Sequence, residues 1–173
     1  MEKRKEQEYK TAYFAGGCFW CIVPVFRELS GVSRVVSGYS GGIEINPTYM
    51  EVKKQLTGHR ESICVEYNPS VIAYGKLLDI FLSNVDPFDG EGQFIDRGYS
   101  YTLAIYPQTM EEKEEAERKI RNLEEETGRK VMISVEAFMS FWNAEEEHQN
   151  YDQKNPEAFA QELIESGRAG REK

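Results

Sequence analysis

The stretch TAYFAGGCFWCIVPVFREL, residues 11–29, decides how the fold is read. Thr11 to Ala15 is a short run of strand-forming character, and it breaks at Gly16-Gly17. The apolar segment Cys18 to Leu29 follows, and Gly31 stops it. This order predicts a strand, a tight glycine turn and a helix. Pro24 falls inside that helix, where it lacks an amide donor and crowds the preceding turn, so a kink or an irregular start is expected there.

Working outward, Val32 to Val36 reads as a second strand that ends at Gly38 and Gly41-Gly42. From Glu61 onward Ile63, Val65 and Tyr67 alternate with Ser62, Cys64 and Glu66, the period-two pattern of a third strand. Residues 43–60 between them have little periodicity, and a long irregular segment of this kind is commonly functional. After Asn68-Pro69-Ser70, with Ser70 as the expected cap, Tyr74, Leu77, Leu78, Phe81, Leu82 and Val85 keep helical spacing. A second loop rich in glycine and aspartate, Asp86 to Gly98, leads into a fourth strand over Tyr101–Tyr106.

The element order is therefore βαββαβ, the ferredoxin-like or split βαβ arrangement. The expected fold class is α+β, a two-layer sandwich with helices on one face of the sheet. Long loops at residues 38–61 and 86–100 would decorate this core. Thr109 with Glu112 then forms a capping box for a charged helix that Gly128 ends, and Val131 to Val135 adds a strand. Ala137 to Tyr151 is aromatic-rich, and Asn155-Pro156 opens a helical extension at the C-terminal end. This organisation implies a flexible N-terminus over 1–10, one domain over 11–165 and a loose tail over 166–173.

A chain of 173 residues, 40% hydrophobic and 12% aromatic, has the composition of one globular domain. No run approaches the roughly 18 apolar residues that span a bilayer. The first residues, MEKRKEQE, lack the apolar core of a signal peptide, so a cytoplasmic location is expected, and the chain is expected to be a monomer. A net charge of −9 argues against a nucleic-acid partner, and much of the acid excess, Glu111 to Glu126, reads as a solvated helix face. No membrane partner is expected either. Three cysteines, Cys18, Cys21 and Cys64, are too few for a secreted disulfide framework and read as thiols in a reducing compartment.

Cys18 stands after two glycines and before a helix, where unpaired amides and the helix dipole favour thiolate, and cysteines so placed fall to a pKa of roughly 3.5 to 7.5. It is the candidate nucleophile. Phe19 and Trp20 cannot both point into one helix–sheet interface, so one of them should line a surface or a pocket. Such a pocket would suit an apolar, polarizable group such as a methyl thioether or sulfoxide. The Cys18-x-x-Cys21 spacing admits three chemistries: half of a zinc site, a thioredoxin-type dithiol, or a peroxide- or sulfoxide-reducing nucleophile with a partner thiol. Zinc lacks its second half, because Cys64 lies in an alternating strand and the only histidines are His59 and His148. Glu61, Tyr49, Asp96 and Tyr101 carry no signal when read one at a time.

Taken together, several spaced motifs carry more. GCFW at 17–20, SGYSGG at 37–42, NPTY at 46–49, TGHRE at 57–61, Gln93 through Asp96-Arg97-Gly98, Ser100-Tyr101, EHQNY at 147–151 and KNP at 154–156 resemble, in order, the A-type peptide methionine sulfoxide reductases. The resemblance covers residues 11–158. It implies an α+β domain with an open, shallow site that reduces the S epimer of free and protein-bound methionine sulfoxide. No metal and no organic cofactor are implied, but an external thiol reductant is: thioredoxin, glutaredoxin or a small thiol. Residue by residue, Cys18 matches the catalytic cysteine, and Phe19 and Trp20 match the pocket for the ε-methyl group. Tyr49, Glu61 and Tyr101 match the groups around the sulfoxide oxygen, and Asp96 a further acidic residue.

Glu61, if desolvated enough to stay protonated, would be the general acid that lets the S–O bond break. Two departures bear on recycling of the sulfenic acid that forms on Cys18. Many relatives carry an acidic residue where Val23 stands and a cysteine where Lys53 stands, and others place recycling cysteines in a C-terminal tail, where Gly167 to Lys173 has none. Cys21 is the possible resolving thiol, since Cys64 would have to leave its strand, and the alternative is direct attack on the sulfenic acid by glutathione, a glutaredoxin or another small thiol. The competing class is a dithiol–disulfide oxidoreductase or thiol peroxidase built on Cys18 and Cys21.

Overall fold

The computed structural model describes residues 8–170. Strand β1 (Lys10–Gly16), helix α1 (Phe19–Arg27), β2 (Val32–Ser40), α2 (Tyr49–Lys53), β3 (Arg60–Tyr67) and α3 (Tyr74–Asn84) come first. A small hairpin of β4 (Gly92–Gln93) and β5 (Asp96–Arg97) follows, then β6 (Leu103–Tyr106), α4 (Met110–Thr127), β7 (Ile133–Val135) and β8 (Phe141–Asn143). Two short helices, α5 (Tyr151–Lys154) and α6 (Pro156–Glu165), end the chain.

The main sheet has the order β7-β6-β1-β3-β2-β8. Its central four strands, β6-β1-β3-β2, are antiparallel throughout, which is the ferredoxin-like order expected from the sequence. β7 joins parallel to β6, and β8 antiparallel to β2. The period-two pattern of β3 sorts its side chains onto two faces. Ile63 and Val65 enter the main core with Phe14, Phe26, Leu77, Leu78 and Phe81, beneath α1 and α3. Cys64 faces the other way, beside Tyr13, whose ring stacks on Phe138 at 4.1 Å. Each large apolar side chain buried in this core contributes about 1.5–3 kcal/mol. Among the described residues no helix is long and apolar enough to cross a membrane.

Several boundaries differ from the sequence reading. Helix α1 is continuous from Phe19 to Arg27 with Pro24 inside it. β2 continues four residues past Val36, because Gly38 leaves room for β8: a Cβ there would lie 2.3 Å from the Phe141 ring. Tyr101 is not in the fourth strand; it closes a 3-10 turn over Tyr99–Tyr101, and β6 starts at Leu103. Ser70 is not a helix cap, since its amide donates to Asn68 Oδ1 in a turn and α3 starts after Ala73. Lys10, expected in a flexible end, pairs with Tyr67 in the sheet, while residues 1–7 lie outside the described residues. Of the tail expected to be loose, Ser166 is buried and Arg168 packs on Phe94; residues 171–173 lie outside the described residues.

Candidate active site

Gly17 has φ +81°, a left-handed conformation that turns the chain from β1 into α1. A Cβ on it would also meet Gln93 Cβ at 2.8 Å, so glycine lets the loop before β5 close over the start of the helix. Gln93 is fully buried and holds that loop by accepting from the Asp86 amide at 2.8 Å and donating to the Asp86 carbonyl at 2.9 Å. The closed loop places Asp96 and Tyr101 beside Cys18. Gly92 is the second glycine the geometry requires, because at φ +147° a Cβ would sit 2.2 Å from the Asp96 carbonyl oxygen.

Cys18 is the N-cap residue of α1, yet its side chain makes no capping bond. The first helical amide, Phe19 N–H, points instead at Glu61, donating to Oε2 at 3.1 Å. Glu61 comes from the start of β3, opposite Tyr39 in the ladder. Tyr49 is delivered by α2, whose capping box has the Thr48 hydroxyl accepting from the Glu51 amide at 3.3 Å and the Glu51 carboxylate accepting from the Thr48 amide at 2.8 Å. The Tyr49 amide also donates to Glu145 at 3.0 Å, and the other oxygen of that carboxylate accepts from Tyr39 at 2.9 Å.

Trp20 is clamped from behind. Its indole N–H donates to His148 Nδ1 at 3.2 Å, and its ring stacks on Tyr151 at 3.9 Å. Burial lowers the His148 pKa, which keeps that imidazole neutral and able to accept.

A cavity of about 130 Å³ gathers Cys18, Trp20, Tyr49, Glu61, Asp96 and Tyr101, together with Lys53 and Glu162. The residues singled out in the sequence thus meet in one place, with two exceptions, Phe19 and Cys21, the latter lining a separate cavity. Phe19 is 1% exposed and lies in the core, its ring against Tyr39 and Tyr49; it does not line the cavity. Lys53 and Glu162 were missed. Lys53 sits one helical turn after Tyr49, and the Thr48-x-x-Glu51 signature that builds this turn was legible in a segment read as irregular.

The electrostatics separate the groups. Burial pushes the Glu61 carboxyl up to about 8, against the Phe19 amide that opposes it, so this side chain is largely protonated at neutral pH. Burial also raises the Tyr49 and Tyr101 hydroxyls, with the Glu61 charge adding to it, so both remain donors. Burial raises the Asp96 carboxyl as well, although Arg168 opposes it.

Cys18 departs from the expectation of a low thiol pKa. Its hydrogen bond to Cys21, its burial and the carboxylates of Glu61 and Asp96 all hold it above the usual range. The dipole effect expected at the helix start is directed at Glu61 instead. Cys21 is shifted the opposite way, lowered by the hydrogen bond from Cys18 and by the Arg168 charge. The hydrogen bond between them thus shifts the two thiols in opposite directions, Cys18 upward and Cys21 downward.

Among the described residues, Cys18, Asp96 and Glu162 form the one group of potential metal ligands, with donor atoms within 4.8 Å of one another. Arg168 lies 3.5 Å from Asp96, so a cation already stands at this cluster.

Residues 10–173 match the model of the family described as peptide methionine sulfoxide reductase. The chain belongs to that family. Two relatives, each named peptide methionine sulfoxide reductase MsrA, come from Bacillus velezensis and Bacillus subtilis. They are 43% and 44% identical to this chain, each over 98% of it and 95% of the relative. Among solved structures, the reduced form of Mxr1 from Saccharomyces cerevisiae superposes with a TM-score of 0.82 at 28% identity, covering 90% of both chains. Methionine sulfoxide reductase A of Corynebacterium diphtheriae gives 0.78 at 29% identity, covering 89% of this chain and 78% of that one. Membership in the sulfoxide reductase family makes the chain an oxidoreductase and leaves the rival dithiol-exchange or peroxidase reading unfavoured.

Proposed function

We propose that this protein reduces the S epimer of methionine sulfoxide, free or within proteins, with Cys18 as nucleophile and Glu61 as acid. The observation that carries the proposal is a fully buried carboxyl, with its pKa raised to about 8, lining the same small cavity as a cysteine and two tyrosine hydroxyls. A cavity of about 130 Å³ admits the methylsulfinyl end of the side chain and leaves the main chain outside. That is why one site can serve a free amino acid and a residue in a polypeptide. Trp20 offers the methyl group an aromatic wall, and Phe19 supports that wall from the core.

The sulfoxide oxygen then lies among Glu61, Tyr49 and Tyr101. Proton donation from Glu61 makes the sulfur electrophilic, and such catalysis is typically worth ~10²–10⁴ in rate. As Cys18 Sγ bonds to the reacting centre, its proton passes along the existing hydrogen bond to Cys21. The hydroxyl then passes from the substrate sulfur to Cys18 Sγ: the substrate S–O bond and the transient S–S bond break, an S–O bond to Cys18 forms, and methionine leaves a Cys18 sulfenic acid behind.

Cys21 resolves the sulfenic acid in this reading, forming a Cys18–Cys21 disulfide with loss of water. Cys64 is on the opposite face of the sheet, which removes it from contention. The disulfide is returned to the dithiol by thioredoxin, glutaredoxin or a small thiol; no metal or organic cofactor takes part. Every group involved comes from one chain, so a monomer suffices, and free thiols at all three cysteines suit a reducing compartment such as the cytoplasm.

Dabsylated methionine sulfoxide resolved into its epimers, with dithiothreitol as reductant, tests the function. Turnover of the S epimer alone is expected. Equal turnover of both epimers, or insulin-disulfide reduction with neither, would overturn it.

A further inference from the structure

The two sulfurs of the Cys-x-x-Cys pair open onto different cavities. Cys18 lines the catalytic cavity of about 130 Å³ and Cys21 does not. Cys21 lines a second cavity of about 360 Å³ behind α1, and Cys18 does not. Its walls come from Ile22 and Val25 of α1, Ser83 near the end of α3, Phe94, and Leu163 of α6. Arg168 shares this lining.

The Arg168 guanidinium is held in place from two sides. It lies over the Phe94 ring at 4.4 Å and 3.5 Å from Asp96 Oδ2, with its side chain 12% exposed. It is the buried Nη1 that faces Asp96 Oδ2. Arg168 brings positive charge to the lining onto which Cys21 opens, partly offset by Asp96, by Glu162 and by Glu28 of the same lining, and the anion that reacts with sulfur is a thiolate.

We propose that the protein separates its two half-reactions across helix α1: the sulfoxide meets Cys18 in the smaller cavity, and a low-molecular-weight thiol meets Cys21 in the larger one, drawn to it by Arg168. The inference rests on the reading of Cys21 as the resolving thiol and adds where the reductant enters. In the first step Cys21 Sγ attacks the sulfenic sulfur of Cys18. The S–S bond forms, the S–O bond breaks, and the departing hydroxide takes the thiol proton and leaves as water.

In the second step the thiolate RS⁻ enters the larger cavity and bonds to Cys21 Sγ. The electron pair of the broken S–S bond goes to Cys18, which is reprotonated in the catalytic cavity; access through this cavity, and not leaving-group acidity, selects Cys21 as the sulfur attacked. A second thiol then attacks the mixed disulfide, releasing RSSR and the Cys21 thiolate. The cavity's volume falls in the range of small-molecule sites. Arg168 acts as a positioning residue through its charge.

The probe is reduced glutathione, added to protein oxidised beforehand with one equivalent of methionine sulfoxide and quenched rapidly in acid. The glutathione adduct is expected on Cys21. Leu163→Trp, which fills the cavity, is expected to slow reduction roughly tenfold while methionine formation in the preceding single turnover is unchanged. Ser83→Trp at the rim serves where Leu163→Trp does not fold. Arg168→Ala is expected to move the pH profile of glutathione reduction upward, and Arg168→Lys to restore it, which a merely structural role would not do. An adduct on Cys18, or an unchanged reduction rate with the cavity filled, overturns the entry route and leaves the resolving role of Cys21 intact. Absence of any Cys18–Cys21 disulfide in the oxidised protein overturns both.

Discussion

Replacing Glu61 with Gln should make the protein more stable at neutral pH and remove much of its activity. Burial raises the Glu61 carboxyl from 4.5 to about 8 in the folded state. The folded protein therefore binds this proton more tightly than the unfolded chain does, and between those two values stability falls as pH rises. Below pH ~4.5 the protonated group imposes no ionisation penalty, and above pH ~8 the penalty is complete. Each pH unit inside the window is worth about 1.4 kcal/mol, so from pH 5 to pH 7.5 the wild type should lose about 3 kcal/mol that Glu61→Gln does not lose. The difference between the two proteins isolates this residue, since the other titrating groups are common to both. Urea unfolding at pH 5.0, 6.0, 7.0 and 7.5, about four conditions analysed with a common slope, measures it. Parallel pH dependences, with the gap changing by less than about 1 kcal/mol, would mean that Glu61 ionises normally and has no proton to give a sulfoxide at neutral pH.

The same group sets the pH dependence of chemistry: single-turnover methionine formation should fall as pH rises through about 8, where folded Glu61 loses its proton. In Glu61→Gln it should be slower by ~10²–10⁴ and lack that limb, as stopped-flow or quenched-flow measurement would show. Trp20→Ala should act mainly on binding, raising KM by an amount equivalent to a few kcal/mol at most, because it removes an aromatic wall and no transferable proton. An effect confined to kcat would place Trp20 in another role.

The βαββαβ order was legible because it rests on patterns local to each element: period two in β3, helical spacing in α3, and the glycine turn at 16–17. The additions to the sheet were less so. β8 is three residues long, and its place depends on the space Gly38 leaves under Phe141, a contact between residues about 100 positions apart.

At the site, Cys18 and Trp20 could be singled out from their local sequence, while Tyr49, Glu61, Asp96 and Tyr101 gained meaning only from the resemblance. The acidity of Cys18 was not legible at all. A helix start favours thiolate, but whether its first amide serves the cysteine depends on where β3 delivers Glu61. The sequence also could not indicate that Arg168, in a tail with no periodic pattern, folds back to Asp96 and the Cys21 cavity.

The central claim is that Cys18 takes the sulfoxide oxygen, and the most direct measurement is the methionine released per chain when excess S-epimer sulfoxide is added with no reductant present. The wild type should release one equivalent and stop, and folded Cys18→Ser, with its circular dichroism unchanged, should release none. Methionine release by Cys18→Ser at the wild-type rate would contradict the account, because the oxygen would then have gone to another acceptor.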